Sequence, residues 1–505
     1  MTEKLPFLAP HPALSKPRTI ICCFDGTGNK FGEVNSNVLR LFKALEKDKP
    51  DEQLVYYQPG IASYNKRHLL ARSFSYIATV VDQAIALHLN DHVKEGYKYI
   101  MQNYRKGDKI CLFGFSRGAY IARAVMGMLY KVGILPPDNF QQIDFAFSVY
   151  QMTGDEGRDL SREFKRTFAF PVTVEFVGVW DTVSSVGIIP RTQPYTSVNY
   201  AVKTFRHALA LDERRARFRP KTWYEATLEP ELQLDVDEPD IVPRGNTSRD
   251  DWVYTPLKRD MANIEEVWFS GCHADIGGGS HHNRLKNSLS FIPLRWMIKE
   301  AIIAGTGILF KKDALKSISF DFMALASELD RLGLDVQETG LDPVLLQPPV
   351  VQPMGSASTL DALLSPIFSP TSQTSTLFPF VPFAIPSSVT TVLDQGQNRV
   401  AVQHVMGIHD IISKVYDRLF EAKSWWILEI IPTITTYQGP TGDWMRKRIR
   451  NFGRGRYIPV YNNKVKVHIS VERRIEDTKY TQNPYTPQAY NWDTLREMHL
   501  VQYVT

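Results

Sequence analysis

The chain has 505 residues, 43% of them hydrophobic and 22% charged, a globular composition that excludes a wholly disordered or fibrous protein and leaves room for two or three domains, or one large elaborated one. Lys and Arg exceed Asp and Glu by 59 − 54 = 5, so bulk charge gives no ground for nucleic-acid binding. Four cysteines, Cys22, Cys23, Cys111 and Cys272, are too few for a disulfide framework and lack the CxxC spacing of a zinc site; they are expected to be small buried thiols in a reducing compartment.

Residues 1–16 form an N-terminal extension without a basic segment leading into an apolar stretch, so no signal peptide is expected. No window approaches ~20 uninterrupted apolar residues, the length that spans a bilayer. The expected location is cytoplasmic. Thr19–Phe24 (TIICCF) is a continuous apolar run, as in a strand covered on both faces of a parallel sheet. Val38, Leu41, Phe42 and Leu45 then recur at helical spacing behind an Asn37 cap. Leu54–Tyr57 reads as a short strand ended by Pro59-Gly60, and Val93, Tyr97, Ile100 and Met101 mark a helix. Lys109–Phe113 is the next strand, with Ile121, Ala124, Val125, Met128 and Leu129 on the helix after it. Alternating strands and helices predict an α/β fold, a mostly parallel sheet with helices on both faces.

Further strands are expected at Val172–Trp180 and Glu266–Ser270, separated by a helix-like stretch, Val202–Arg219, and a polar, acidic segment near Asp235–Asp251. Leu294–Leu332 has a helical pattern, which closes a catalytic domain over 17–335. The span 336–392 is a flexible insertion: Pro343–Thr391 holds nine prolines and 14 Ser/Thr with Asp361 as its one charge. Its apolar cluster Phe378–Ile385 would suit a lid over an ester pocket, as an alternative to a linker. Residues 393–505 form a C-terminal extension with helix-like (Val402–Trp426) and strand-like (Val465–Val471) segments.

The chemistry centres on Gly114-Phe115-Ser116-Arg117-Gly118, a GxSxG between a predicted strand and a predicted helix. In that context it reads as a nucleophile elbow, a sharp turn holding the serine at the carboxyl end of a sheet, with Gly114 and Gly118 allowing strand and helix to approach. A serine hydroxyl needs a base, and the base a third group to orient it. In α/β hydrolases the chain order is Ser, acid, His. Asp181 ends an apolar run and opens a small-residue loop, which makes it the candidate acid. Of the twelve histidines, His11, His68, His88 and His92 precede the serine; His207, His404 and His409 lie in helical patterns; His499 is terminal. His281 and His282 read as polar loop residues. His273 directly follows a strand and precedes a glycine-rich loop, so it is the candidate base, with His468 as competitor. Oxyanion donors are expected from the Arg117 amide and from Gly26 or Thr27 in the loop FDGTGN, supported by Asp25. Asp275 supports the His273 loop. Read as a phosphate-binding DxGT loop, FDGTGN lacks a partnering P-loop or Rossmann fingerprint, so no cofactor is expected. A metal-dependent phosphoesterase on Asp25, His273 and Asp275 is a further alternative, although the reading that uses the serine places no metal.

FDGTGN, YYQPGIAS, GFSRGAYIARAVMGML, VEFVGVWDTVSSVG, RHALALDERRARFRP and VWFSGCHADIGGG occur in this order. Together they resemble the Tle-type (type VI secretion lipase effector-like) α/β hydrolases, a domain-of-unknown-function family, over about residues 17–310, most closely its fungal-type intracellular members. WWILEIIP and VHISVERR add looser similarity. The resemblance implies an α/β-hydrolase-like sheet elaborated by long insertions, and a Ser-Asp-His triad on Ser116, Asp181 and His273. It implies a serine hydrolase of carboxylic esters; some bacterial relatives are phospholipases delivered into competitors, so lipid esters are the favoured substrates. Within RHALALDERRARFRP, His207, Asp212, Glu213 and Arg214 are expected to form a helix-end polar network that positions the loop after Asp181.

Met445–Lys466 carries eight basic residues and no acidic one. With Trp425 and Trp426 just upstream, it reads either as a peripheral contact for an anionic membrane or as a solvated face beside core tryptophans. A catalytically quiet adaptor that binds protein or membrane remains the alternative to an enzyme.

Overall fold

The computed structural model describes residues 17–29, 31–60, 74–183, 193–196, 202–223, 262–334, 409–438 and 444–505, with the backbone alone at 74–88, 434–436, 444 and 446. The extension 1–16, the insertion 336–392 with its lid-or-linker question, the segment 235–251 and residues 402–408 lie outside the described residues.

In chain order the elements are β1 (Thr19–Phe24), α1 (Asn37–Ala44), β2 (Gln53–Gln58), α2 (Phe74–Asn103), β3 (Lys109–Phe115), α3 (Arg117–Val132), α4 (Ile143–Gln151), α5 (Gly154–Phe168), β4 (Val174–Trp180), β5 (Val202–Ala210), β6 (Asn263–Phe269), α6 (His273–Gly277) and α7 (Phe291–Ile303). Short helices follow at Lys312–Ser317, Phe322–Leu332, Arg418–Glu421 and Trp426–Ile430. Next come the strands β7 (Thr433–Gln438) and β8 (Trp444–Ile449), then β9 (Val465–His468), the helices Ile469–Thr478 and Trp492–Glu497, and β10 (Val501–Val504). Eight strands form one sheet in the order β10-β9-β6-β5-β4-β3-β1-β2, with every neighbouring pair parallel; β7 and β8 make a separate antiparallel hairpin. The class is α/β.

Successive strand residues point to opposite faces, and β1 shows the consequence. Ile20, Cys22 and Phe24 enter the core under α2, α3, α4 and α5, while Ile21 and Cys23 enter the core under α1, α7 and the two helices after it. Both faces are covered, which is why the strands read as continuous apolar runs rather than alternating ones. All four cysteines are buried free thiols. A third, smaller core joins Trp268 of β6 to Val465 and Val467 of β9 and to Trp492. Residues 409–505 therefore supply the last two strands of the same sheet. No helix among the described residues is long and apolar enough to cross a membrane.

Three local expectations are corrected. Val202–Arg219 is not a helix: β5 occupies its first half, paired to β4 through Trp180↔Ala208 and to β6 through Ala210↔Phe269. Its Ala, Leu and Arg residues favour a helix, but ladders along both edges and burial on both faces override that preference. The α1 cap is Ser36, whose hydroxyl accepts from the Leu39 N–H. Asn37 instead donates its side-chain amide to the carbonyls of Ile276 and Ser290, both at 2.8 Å. The strand expected over Val465–Val471 ends at His468, where a helix begins.

The sheet order reverses between β1 and β3: the chain passes from β1 outward to β2, then returns to β3 on the other side and continues to β4, β5 and β6. In parallel sheets such a reversal opens a crevice at the carboxyl ends of the strands. The loop after β1 and the turn after β3 face that crevice.

Candidate active site

Ser116 sits between β3 and α3 with φ 58° and ψ −121°. That region costs a non-glycine residue roughly 1–3 kcal/mol and persists only where its surroundings enforce it. The enforcement is visible at the flanking glycines. A Cβ on Gly114 would lie 2.4 Å from the Gly118 carbonyl oxygen, and one on Gly118 would lie 2.2 Å from that of Phe24, so the turn is pressed onto β1. The Ser116 N–H donates to the Trp180 carbonyl at 3.0 Å. The residue ends up 7% exposed at the sheet's carboxyl edge.

His273 opens α6 just past β6, and its N–H donates to Glu213 Oε2 at 3.2 Å. Its ring lies between Phe115 and Phe218, with centroids 4.7 and 4.8 Å away. Nε2 is 2.9 Å from Ser116 Oγ, and Nδ1 is 2.5 Å from Asp181 Oδ2. Burial lowers the proton affinity of this imidazole, and the hydrogen bond and charge of Asp181 act against that shift. The three side chains come from the ends of β3, β4 and β6 and form one line of hydrogen bonds.

Asp181 also has a positive φ, 42°. Its N–H donates to the Ala208 carbonyl at 2.8 Å, and its Oδ1 accepts from the Ala210 N–H at 3.0 Å. Arg456 completes its surroundings, with Nη1 2.6 Å from Oδ1 and Nη2 2.9 Å from Oδ2. Burial alone would raise the Asp181 pKa, but the Arg456 charge and the His273 contact outweigh it and hold the carboxyl well below the usual carboxylate range. Sequence reasoning missed Arg456, grouping it with the basic residues of 445–466. It is 2% exposed, so that run is not a single solvated or membrane-facing surface. The available signal was Gly455 directly before it: a Cβ there would lie 1.7 Å from the Gln488 carbonyl oxygen, the mark of a packed segment.

The loop after β1 is a tight turn, with Asn29 N–H on the Gly26 carbonyl at 2.9 Å and Gly60 N–H on the Asn29 carbonyl at 3.0 Å. Asp25 supports it, its carboxylate accepting from the Gly26 N–H (2.7 Å), Ser36 Oγ (2.8 Å), Tyr57 OH (2.8 Å) and Asn29 Nδ2 (3.4 Å). With only neutral donors, burial prevails and pushes this carboxyl up. The Gly26 amide is thereby engaged and is withdrawn as an oxyanion donor. Thr27, next along the loop, and Arg117, the first residue of α3, stay as candidates.

Asp275 accepts from the N–H groups of Cys272 (2.9 Å) and Tyr416 (2.8 Å), tying α6 to the C-terminal region, and burial pushes its pKa up to about 7. The metal alternative finds no support in this geometry. Both ring nitrogens of His273 are engaged by Ser116 and Asp181, and the Asp25 carboxylate is enclosed by four donors. No cluster of three or more His, Cys, Asp and Glu side chains forms a metal site among the described residues.

His468 is not a competing base. Its ring stacks on Phe269 with centroids 4.7 Å apart, its Nδ1 meets Ser470, and it caps the following helix. The polar network of RHALALDERRARFRP lies at a strand end rather than a helix end. His207 accepts from the Thr182 N–H at 3.0 Å and meets Glu266 at 2.8 Å, so it does hold the start of the loop after Asp181. Asp212 binds the Gly271 N–H (2.6 Å), the Gln488 N–H (2.9 Å) and Tyr485 OH (2.8 Å). Arg214 pairs with Asp417, and Glu213 with Arg215 at 2.8 Å. Trp425 packs edge-on against Phe218, 5.6 Å between centroids, while Trp426 is 41% exposed and so is not a core residue.

A family model described as T6SS, phospholipase effector Tle1-like, catalytic domain matches residues 18–300. An uncharacterized protein of Saccharomyces cerevisiae is 26% identical over 572 positions, covering 92% of this chain and 80% of its own. Among solved structures, an uncharacterized protein from Pseudomonas aeruginosa aligns at 16% identity over 64% of this chain and 52% of its own, with a TM-score of 0.31. The Tle1 effector bound to the VgrG spike of the type 6 secretion system aligns at 18% identity over 55% of this chain and 56% of its own, with a TM-score of 0.29. The chain thus spans about half the length of these two solved chains.

Proposed function

The chain belongs to the phospholipase effector Tle1-like catalytic-domain family, and from that premise we propose that it is a serine hydrolase of carboxylic esters, with lipid esters as substrates. The observation that carries the reading is the line from Ser116 Oγ to His273 Nε2 at 2.9 Å and from His273 Nδ1 to Asp181 Oδ2 at 2.5 Å. In this mechanism Ser116 Oγ attacks the acyl carbon as its proton passes to His273 Nε2. Asp181 accepts from Nδ1–H throughout, which fixes the tautomer and stabilises the imidazolium. The Arg117 and Thr27 amides face the oxyanion. His273 then protonates the departing alcohol, takes a proton from water as that water attacks the acyl-enzyme, and returns it to Ser116 as the acid leaves.

A fluorophosphonate probe tests the chemistry. Wild type is labelled and Ser116→Ala is not; absence of labelling in wild type leaves the quiet-adaptor reading standing. A panel of esters graded from short acyl chains to phospholipids tests the substrate, and a flat response across the panel removes the lipid preference.

The surface next to the site supports peripheral contact with anionic lipid. Phe420, Trp426, Ile427, Ile430 and Phe452 are exposed, and the Trp426 ring lies against Gly453, which brings the two segments together. Lys447, Arg448 and Arg450 are exposed nearby in sequence, and each basic group at an anionic surface contributes about 1 kcal/mol. Binding to phosphatidylserine vesicles should weaken as salt rises. Equal binding to neutral vesicles at every ionic strength overturns the electrostatic part.

A further inference from the structure

The family match stops at residue 300, yet the cation on Asp181 comes from residue 456. We propose that Arg456 is a positioning residue of the hydrolytic centre, supplied by the C-terminal region, that aims the Asp181 carboxylate at His273 and restrains the basicity of the imidazole. The inference rests on the Ser116–His273–Asp181 reading above.

Three observations carry it. The guanidinium meets both oxygens of Asp181 side-on, the bidentate geometry that a planar fork provides and an ammonium does not. Its other contacts are backbone carbonyls: Nε to Phe218 at 3.1 Å, Nη2 to Phe218 at 2.5 Å and Nη1 to Ala210 at 3.1 Å. All five N–H groups of the side chain therefore have an acceptor. Second, Asp181 Oδ2 is shared, meeting Arg456 Nη2 on one side and His273 Nδ1 on the other. Third, Phe218, whose carbonyl Arg456 grips, lays its ring against His273. One side chain thus restrains both the acid and a wall of the base, around an aspartate whose backbone φ of 42° is itself strained.

The electrostatic consequence has a definite sign. His273 faces Asp181 from the end of β4 and Glu213 and Arg215 from the turn after β5. An anionic Asp181 favours imidazolium, and a cation bound to that aspartate offsets the effect. With Arg456 in place the base stays neutral to lower pH. Without it, Asp181 acts on His273 undiminished and the imidazole holds its proton to higher pH.

The test uses the full chain, a soluble short-chain ester and the fluorophosphonate probe. Arg456→Ala is expected to lose roughly 10²-fold in kcat with KM within about twofold, the scale of a misaligned catalytic group. Its acidic limb of kcat/KM should move up by about one pH unit. Methylguanidinium should restore part of the activity of Arg456→Ala and none of Ser116→Ala. Arg456→Lys keeps the charge without the fork, so kcat falls while the limb stays near wild type. If Arg456→Ala does not fold, the pair Asp181→Asn and Asp181→Asn/Arg456→Ala replaces it, since the double variant buries no unpaired charge. The second change should then cost less than about threefold, the coupling having been removed with the carboxylate. Losses that merely follow the folded fraction, with an unmoved limb and no rescue, overturn the proposal, as does a further tenfold loss in the double variant. Failure of the probe to label wild type at Ser116 is a different outcome and overturns the underlying hydrolase reading instead.

Discussion

Asp25 and Asp181 end two strands of one sheet, β1 and β4, on either side of the serine-bearing β3. Both are buried and fully hydrogen-bonded, and desolvation opposes their charge alike. Around Asp25 every donor is neutral: two side-chain hydroxyls, a side-chain amide and a backbone N–H. Around Asp181 stand Arg456 and His273 as well as the Ala210 N–H. The first carboxyl is pushed up and the second is held down. Hydrogen bonds from neutral groups thus orient a buried carboxylate but offset only part of the cost of burying its charge. A guanidinium orients it and compensates that charge, which is the condition for an aspartate that must remain ionised beside an imidazole.

Exchanging the charge at each position separates the roles. Asp181→Asn should lower kcat by roughly 10³–10⁴-fold, because the amide no longer fixes the His273 tautomer and Arg456 loses its counter-charge. Ester turnover corrected for folded fraction reads this. Asp25→Asn should leave turnover within about tenfold but cost roughly 1–3 kcal/mol of stability, as its new N–H₂ faces groups that are themselves donors; urea unfolding measures it. Comparable turnover losses in both would break the comparison.

Carboxyl titration followed by carbon NMR sharpens it. Asp181, with a depressed folded pKa, contributes stability above about pH 3.9, the unfolded value, and that contribution is lost as pH falls toward the folded pKa. Asp25, with a raised one, favours the folded state below the unfolded value and withdraws that contribution as pH rises through the folded pKa. Asp275 belongs with Asp25: its direct donors are two backbone N–H groups and its pKa is pushed up to about 7. Its effect should fall between about pH 3.9 and 7, and Asp275→Asn should flatten the pH dependence of Tm over that window. The smallest expected effect is that of Tyr57→Phe, which removes one hydroxyl donor from Asp25 and should cost about 1 kcal/mol.

The sheet and the Ser116 turn were legible because both depend on local pattern. TIICCF and KICLF are apolar without interruption, as strands covered on both faces must be, and GFSRG falls where that run gives way to helical spacing. Asp181 and His273 were readable from position, since each ends an apolar run and opens a loop of small residues. β5 was not legible, because RHALALD carries helix-favouring residues and its strand state is imposed by β4 and β6. Gly26 was misassigned because nothing local tells that the Asp25 carboxylate turns back onto its amide. Arg456 was hidden for a similar reason: a contact 275 positions apart along the chain leaves no periodicity, and its basic neighbours made it look like surface.

The distance along the chain between β6 and β9, which close onto each other through Trp268↔Val467, bears on the order of assembly. Translation delivers domains from the amino terminus onward, so the serine, aspartate and histidine leave the ribosome well before the arginine does. A nascent polypeptide therefore carries the Asp181 carboxylate without its guanidinium partner while the 275 positions that separate the two are being made.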